Sequence, residues 1–140
     1  MKLRNIFLLL TTIICYNLTN AQKVKLKKDF VYIDDTKVFK YDRNAGEGWL
    51  TLYNLDSDDE IIFIRENDNG TDYRDDDYTQ YKFLKEDITI EISTYTYWKN
   101  HVKFLYKNKC FDLNGEIDLK KVQNTFDKFD ENITDRTFKN

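Results

Sequence analysis

A chain of 140 residues with 16% aromatic side chains carries enough apolar material for one packed domain, and its formal net charge of −3 offers no broad basic field to nucleic acid or an anionic membrane. Charged residues reach 34% and proline is absent, yet disordered segments are poor in aromatics and rich in proline. Order is therefore expected everywhere except at the ends and in one loop.

The first residues read as an address. Met1 to Arg4 form a short basic head, Ile6 to Ile14 are apolar apart from Thr11 and Thr12, and Thr19, Asn20 and Ala21 provide small-residue cleavage chemistry before Gln22. Residues 1–21 are expected to be a secretory signal peptide, which places the mature protein in the periplasm or outside the cell. The apolar stretch is too short for a hydrocarbon core of about 30 Å, and no later stretch approaches spanning length, so no stable membrane insertion is expected after cleavage. Thr12 and Ile14 stand where a lipid-anchor motif at Cys15 needs a leucine-like and a small residue. Cys15 leaves with the signal, so Cys110 is left without a partner for an intramolecular disulfide and the fold must rest on its core.

Lys23, Lys25, Lys27 and Lys28 then alternate with Val24 and Leu26, as the solvated face of a first strand or as a docking arm for an acidic partner. Two hairpins follow. Phe30–Ile33 meets Val38–Tyr41 across Asp34–Lys37, and Trp49–Leu55 meets Ile61–Arg65 across the acidic turn Asp56–Glu60. A loose repeat, Tyr32 before one turn and Tyr53 before the other, implies a meander and no more. Gly46 and Gly48 are separated by Glu47 alone, with no Gly-Lys-Ser/Thr after them, so they mark a turn and not a phosphate loop. From Glu66 to Asp77 the apolar pattern stops in a polar, mostly acidic loop. It resumes as a strand over Tyr78–Leu84, then as the clean alternation Ile88–Ser93, which points Ile88, Ile90 and Ile92 inward and Thr89, Glu91 and Ser93 to water.

The period next lengthens to that of a helix. Trp98, His101 or Val102, and Leu105 share one face, and a second helix is predicted from Asp118 as N-cap through Leu119, Val122, Phe126 and Phe129. Lys120 and Lys121 in its first turn oppose the helix dipole, so packing must hold it. Residues 131–140 form a polar tail, and from Asp130 onward the chain is expected to fray. The predicted fold is α+β: one domain over residues 22–130, with an N-terminal antiparallel meander of about five to seven strands and two C-terminal helices packed on one face.

Several chemistries can be weighed on these elements. Calcium takes six to eight oxygen ligands, and the acidic loop offers Asp68, Asp72, Asp75 and Asp77, although their mutual repulsion equally suits a solvated loop. The segment from Cys110 to Lys121 resembles the calcium loop of the EF-hand family. Asp112 and Asn114 match its third and fifth positions, Gly115 its sharp turn, Ile117 its apolar residue and Asp118 its ninth position. Cys110 and Lys121 replace the first aspartate and the closing glutamate, and a tight helix-to-helix connection explains the same residues. A Cys–His nucleophile needs His101 beside Cys110, but nine residues of chain are expected to hold them more than a helical turn apart. His101 is read as a helix residue at the sheet boundary, and Cys110 as a small, partly buried apolar one. Neither Ser57 nor Ser93 stands in a strand-to-helix elbow. Glu91 is the acid with the most rigid surroundings for a carboxylate pair, and is expected to be exposed.

The aromatic content points elsewhere. Tyr32, Tyr53 and Trp49 belong to a set of rings too large for one core, and rings on an outer sheet face suit sugars, peptides or a partner protein. Cross-strand packing accounts for them without any ligand. In composition, and in a signal ending Asn20, Ala21, Gln22, the chain resembles the small exported proteins of uncharacterised function in bacteria with AT-rich genomes; the resemblance implies an envelope setting and no activity. The expectation is a secreted, noncatalytic module that binds a protein or envelope glycan through its sheet face. The alternative is a metal-dependent or carboxylate-based hydrolase centred on residues 66–77.

Overall fold

The computed structural model describes residues 22–68, 70, 77–94 and 96–137. Seven strands form one antiparallel meander in which each pairs with the next: β1 (Val24–Lys27), β2 (Phe30–Ile33), β3 (Thr36–Asn44), β4 (Trp49–Tyr53), β5 (Glu60–Asn67), β6 (Tyr78–Phe83) and β7 (Ile88–Ile92). Helices α1 (Trp98–Lys107), α2 (Leu119–Phe129) and the short α3 (Ile133–Thr137) follow, giving the α+β architecture anticipated from the periodicities. Among the described residues no helix is long and apolar enough to cross a membrane.

Local chemistry fixes the turns. Lys28 and Asp29 join β1 to β2, and Asp34 and Asp35 join β2 to β3, all four at positive φ. This mirror-image turn matches the twist of the flanking strands, and aspartate tolerates it better than a branched residue. The second turn is tighter than the four residues predicted, because Thr36 and Lys37 already belong to β3. Asp34 Oδ1 accepts the Lys23 N–H at 2.9 Å, and the hydrogen bond and charge of Lys25 hold the Asp35 carboxyl below the usual range.

Two bulges curl the sheet. The register shifts between Val31 and Tyr32 against β3, and between Leu52 and Tyr53 against β5, so Val38 and Ile61 have no opposite residue. Each is buried together with its successor, Phe39 or Ile62, so the extra residue adds core without disturbing the alternation beyond it. The two tyrosines that repeat in the sequence therefore mark equivalent irregularities of the sheet.

The inner face carries Val31, Ile33, Phe39, Leu50, Leu52, Ile62, Ile64, Tyr81, Phe83 and Ile90, closed over by Val102 and Leu105 of α1 and Val122 of α2. Phe104 stacks on Tyr81 at 5.4 Å and meets Phe129 at 5.3 Å, which ties sheet, α1 and α2 at one point. Between the helices Phe111 bridges Ile117, and Gly115 stands at φ 79 where a Cβ would come within 3.0 Å of the Phe39 ring and the Val38 carbonyl. Only glycine fits there. Asp118 caps α2 as predicted, its Oδ1 accepting the Lys121 N–H at 3.0 Å.

Residues 130–134 depart from expectation, while residues 138–140 of the expected tail lie outside the described residues. Instead of fraying, residues 130–134 form a strap along β7: Asp130 Oδ1 accepts the Glu91 N–H at 2.8 Å, and the Glu131 N–H reaches the Glu91 carbonyl at 2.8 Å. The Glu131 carboxylate takes the Ser93 N–H at 2.9 Å and its hydroxyl at 2.7 Å. The strap then crosses to the outer face, buries Ile133 and sets Thr134 on Glu91, with the Thr134 N–H 2.7 Å from Oε2 and its hydroxyl on Oε1. Glu91 does alternate outward, but it is only 6% exposed because the strap lies over it. The prediction of a solvated glutamate is corrected by a contact made 43 residues later in the chain.

Burial pushes the Glu91 carboxyl up, but the hydrogen bonds from Thr134, Gln80 and Ile133 together outweigh it and bring it below the usual glutamate range. A lowered carboxyl stabilises the fold above the unfolded pKa and loses that contribution as pH falls through the folded value. Glu91→Gln should therefore cost about 1–2 kcal/mol at neutral pH. Urea midpoints of the two proteins should converge on acidification to about pH 3, and a gap that acid leaves unchanged contradicts the strap.

Candidate functional site

The outer face is the surface that the helices leave open. Among the described residues only the strap and α3 cross to it, at the β7 end. The register lays its side chains in cross-strand rows. One row runs Lys27, Phe30, Lys40, Tyr53; a second runs Asn44, Trp49, Arg65, Gln80, Glu91; a third runs Asp42, Thr51, Phe63, Lys82, Thr89. Tyr32 stands opposite Lys25 on one side and Lys37 on the other. Aromatic rings thus alternate with cations in a chain that is acidic overall.

Specific contacts hold these rings in place. Lys37 Nζ lies 3.7 Å from the centre of the Phe30 ring, a cation–π contact. Trp49 packs against Phe63 at 6.4 Å and donates its indole N–H to Glu47 Oε2 at 2.9 Å. Lys40 bonds Asp58 at 3.0 Å, which leaves its stem along the face. Phe30, Tyr32, Trp49, Tyr53 and Phe63 are all partly exposed.

Tyr32, Tyr53 and Trp49, singled out from the sequence, all lie on this face, but β3 separates Tyr32 from β4, and Tyr53 and Trp49 occupy opposite ends of β4. They form two groups rather than one: Tyr53 with Phe30 about Lys40, and Trp49 with Phe63 beside Arg65. Phe30 and Phe63 escaped the sequence reading. The alternation of Ile62 and Ile64 would have turned Phe63 outward.

The proposed metal ligands have other duties where they are described. Asp68 Oδ1 accepts the Gly70 N–H at 3.1 Å, Asp77 precedes β6, and Asp72 and Asp75 lie outside the described residues. Asp112 Oδ1 accepts the N–H groups of Asn114 at 2.8 Å and Glu116 at 3.0 Å, and the Asn114 amide reaches its Oδ2 at 3.3 Å. With Asp118 engaged as the α2 cap, this loop is stitched by its own side chains. Among the described residues, no group of three or more His, Cys, Asp and Glu is placed to hold a metal ion.

A buried polar chain was not anticipated. His101, fully buried on α1, lies with Nδ1 2.8 Å from the Tyr81 hydroxyl and Nε2 2.9 Å from Glu66 Oε1. A carboxylate only accepts, so Nε2 carries a hydrogen toward Glu66; in the neutral ring Nδ1 then accepts from the Tyr81 O–H. Burial, followed by the charge of Glu66, pushes the Tyr81 phenol up and keeps that proton in place. The sequence pattern places Glu66 in the acidic loop. In fact β5 runs on to Asn67, and the alternation of Ile62 and Ile64 carries Glu66 inward. Cys110 is fully buried rather than partly, its sulfur 3.4 Å from the Thr125 hydroxyl, and burial pushes its thiol up. Neither group is a nucleophile open to a substrate; the three-residue chain fastens α1 to β5 and β6.

Tyr81→Phe, which strands a buried ring nitrogen, should cost about 1–3 kcal/mol, and His101→Leu should cost more because it strands both Tyr81 and Glu66. In a double-mutant cycle read by chemical denaturation the two losses should be less than additive; additive losses contradict the chain of bonds.

No protein-family model matches the sequence, and comparisons with curated proteins and with solved structures find no match.

Proposed function

We propose that this chain is an exported, noncatalytic module that binds a protein or cell-envelope ligand through the outer face of its sheet. One observation carries the reading: partly exposed rings alternate with lysine and arginine on the face that α1 and α2 leave open, from Lys27 and Phe30 to Phe63 and Lys82. Tyrosine and tryptophan offer a flat apolar surface with a polar tip, which suits sugar rings and peptide planes. The neighbouring cations favour ligands that carry negative charge. The address read in residues 1–21 and the likeness to small exported bacterial proteins support the envelope setting. Calcium has no part in this reading. The alternative hydrolase has less support, because Glu66 turns inward to His101 and the Asp68 carboxylate is engaged by the loop itself.

Arrays of envelope glycans and envelope proteins, probed with wild type and with Trp49→Ala/Tyr53→Ala/Phe63→Ala, test the proposal. Wild type should bind, and the triple variant should lose at least about tenfold in affinity while keeping the wild-type circular dichroism spectrum. A wild type that binds nothing, or a folded variant that binds equally well, overturns it.

A further inference from the structure

The two edges of the sheet are finished differently. At β7 the strap supplies a carboxylate or a backbone group to each of Glu91 and Ser93. At β1 the described residues supply nothing comparable. The Lys23 carbonyl accepts the Asp34 N–H at 3.0 Å, and Lys25 and Lys27 stand opposite Tyr32 and Phe30. Antiparallel alternation therefore directs the backbone groups of residues 23, 25 and 27 toward β2 and those of Val24 and Leu26 away from it. Among the described residues those outward N–H and C=O groups have no partner. An open edge of this kind is a template for another strand.

Each side of that edge has its own chemistry. On the inner side lies a hollow of about 340 Å³ lined by Leu26, Arg43, Tyr97, Trp98 and Lys99, with Tyr97 78% exposed beside it. On the outer side, Lys25 and Lys27 share a second hollow with Lys28, Tyr32 and Asp35, whose carboxylate already pairs with Lys25 at 2.5 Å, so an acidic partner meets Lys27 and Lys28 first and shares Lys25 with Asp35. A strand laid along β1 would turn alternate residues toward apolar and aromatic surface and the residues between them toward lysine. Two copies of β1 paired with each other would set lysine against lysine, a repulsion that disfavours self-association and admits an acidic partner.

We propose that β1 is a docking edge that takes an extended segment of a partner protein as an eighth strand, with acidic residues at alternate positions facing Lys25 and Lys27 and apolar residues facing Leu26 and Tyr97. This proposal shares Lys27 with the outer face but needs neither Trp49 nor Phe63, so either can fail without the other.

A display library of random peptides, panned against the purified protein and followed by anisotropy titration of the enriched sequences, tests it. The enriched peptides should alternate acidic and apolar residues and bind more weakly as salt rises. Val24→Pro removes an outward N–H and none directed at β2, and should weaken them roughly tenfold. Lys25→Glu/Lys27→Glu should shift the selected sequences toward basic residues, whereas Trp49→Ala/Phe63→Ala should leave binding unchanged. N-methylation of the peptide at alternate residues probes the same backbone bonds without altering the protein, and should abolish binding. Failure to enrich an alternating acidic family overturns the proposal, as does binding that survives N-methylation or that needs Trp49 and Phe63. A protein dimer that Val24→Pro dissociates overturns it too, since the occupant of the edge is then a second copy.

Discussion

An antiparallel meander of seven strands that does not close on itself presents two faces and two edges, and the chain that follows β7 covers one of each. Helices α1 and α2 bury the inner face, and the strap from Asp130 to Thr134 closes the β7 edge. Burial of each large aliphatic or aromatic side chain contributes about 1.5–3 kcal/mol, so the ten residues of the inner face make the helices a condition of the fold rather than an addition to it. What remains uncovered, the outer face and the β1 edge, carries partly exposed aromatic rings beside lysine and arginine.

The buried polar chain belongs to the same arrangement. Helix packing against a sheet by apolar contact alone tolerates some sliding, whereas three polar groups bonded in series specify one position of α1 over β5 and β6. His101, Tyr81 and Cys110 are the residues that a search for catalysis would examine first. Each is buried, and each polar atom among them is held by a neighbour.

Much of the fold was legible in the sequence because one face of each strand is buried, so side-chain alternation reports directly on packing. Ile88, Ile90 and Ile92 read correctly for that reason, as did the N-cap at Asp118 and the helical spacing from Trp98. The failures share a cause. Glu66 and Glu91 are acidic residues in strands, and composition assigns them to solvent, while their partners, His101 and Thr134, lie 35 and 43 residues further along the chain. The strap resembles a frayed tail in sequence because its polar residues are hydrogen-bonding groups for an edge strand, and sequence pattern alone does not reveal an edge. The outer-face rings were found one at a time as tyrosines and tryptophan; their grouping with Phe30 and Phe63 depends on the cross-strand register, which the turns and the two bulges set.

Among the described residues, one edge of the sheet is sealed by the strap of residues 130–134 while the other is left available. Native-state hydrogen exchange, resolved residue by residue, measures this directly. The amides of Glu91 and Ser93 should exchange only when the strap or the whole domain opens, while those of Val24 and Leu26 should exchange at nearly the rate of an unstructured chain. Fast exchange at Glu91 and Ser93, or protection of Val24 and Leu26 equal to that of the central strands, would contradict the account.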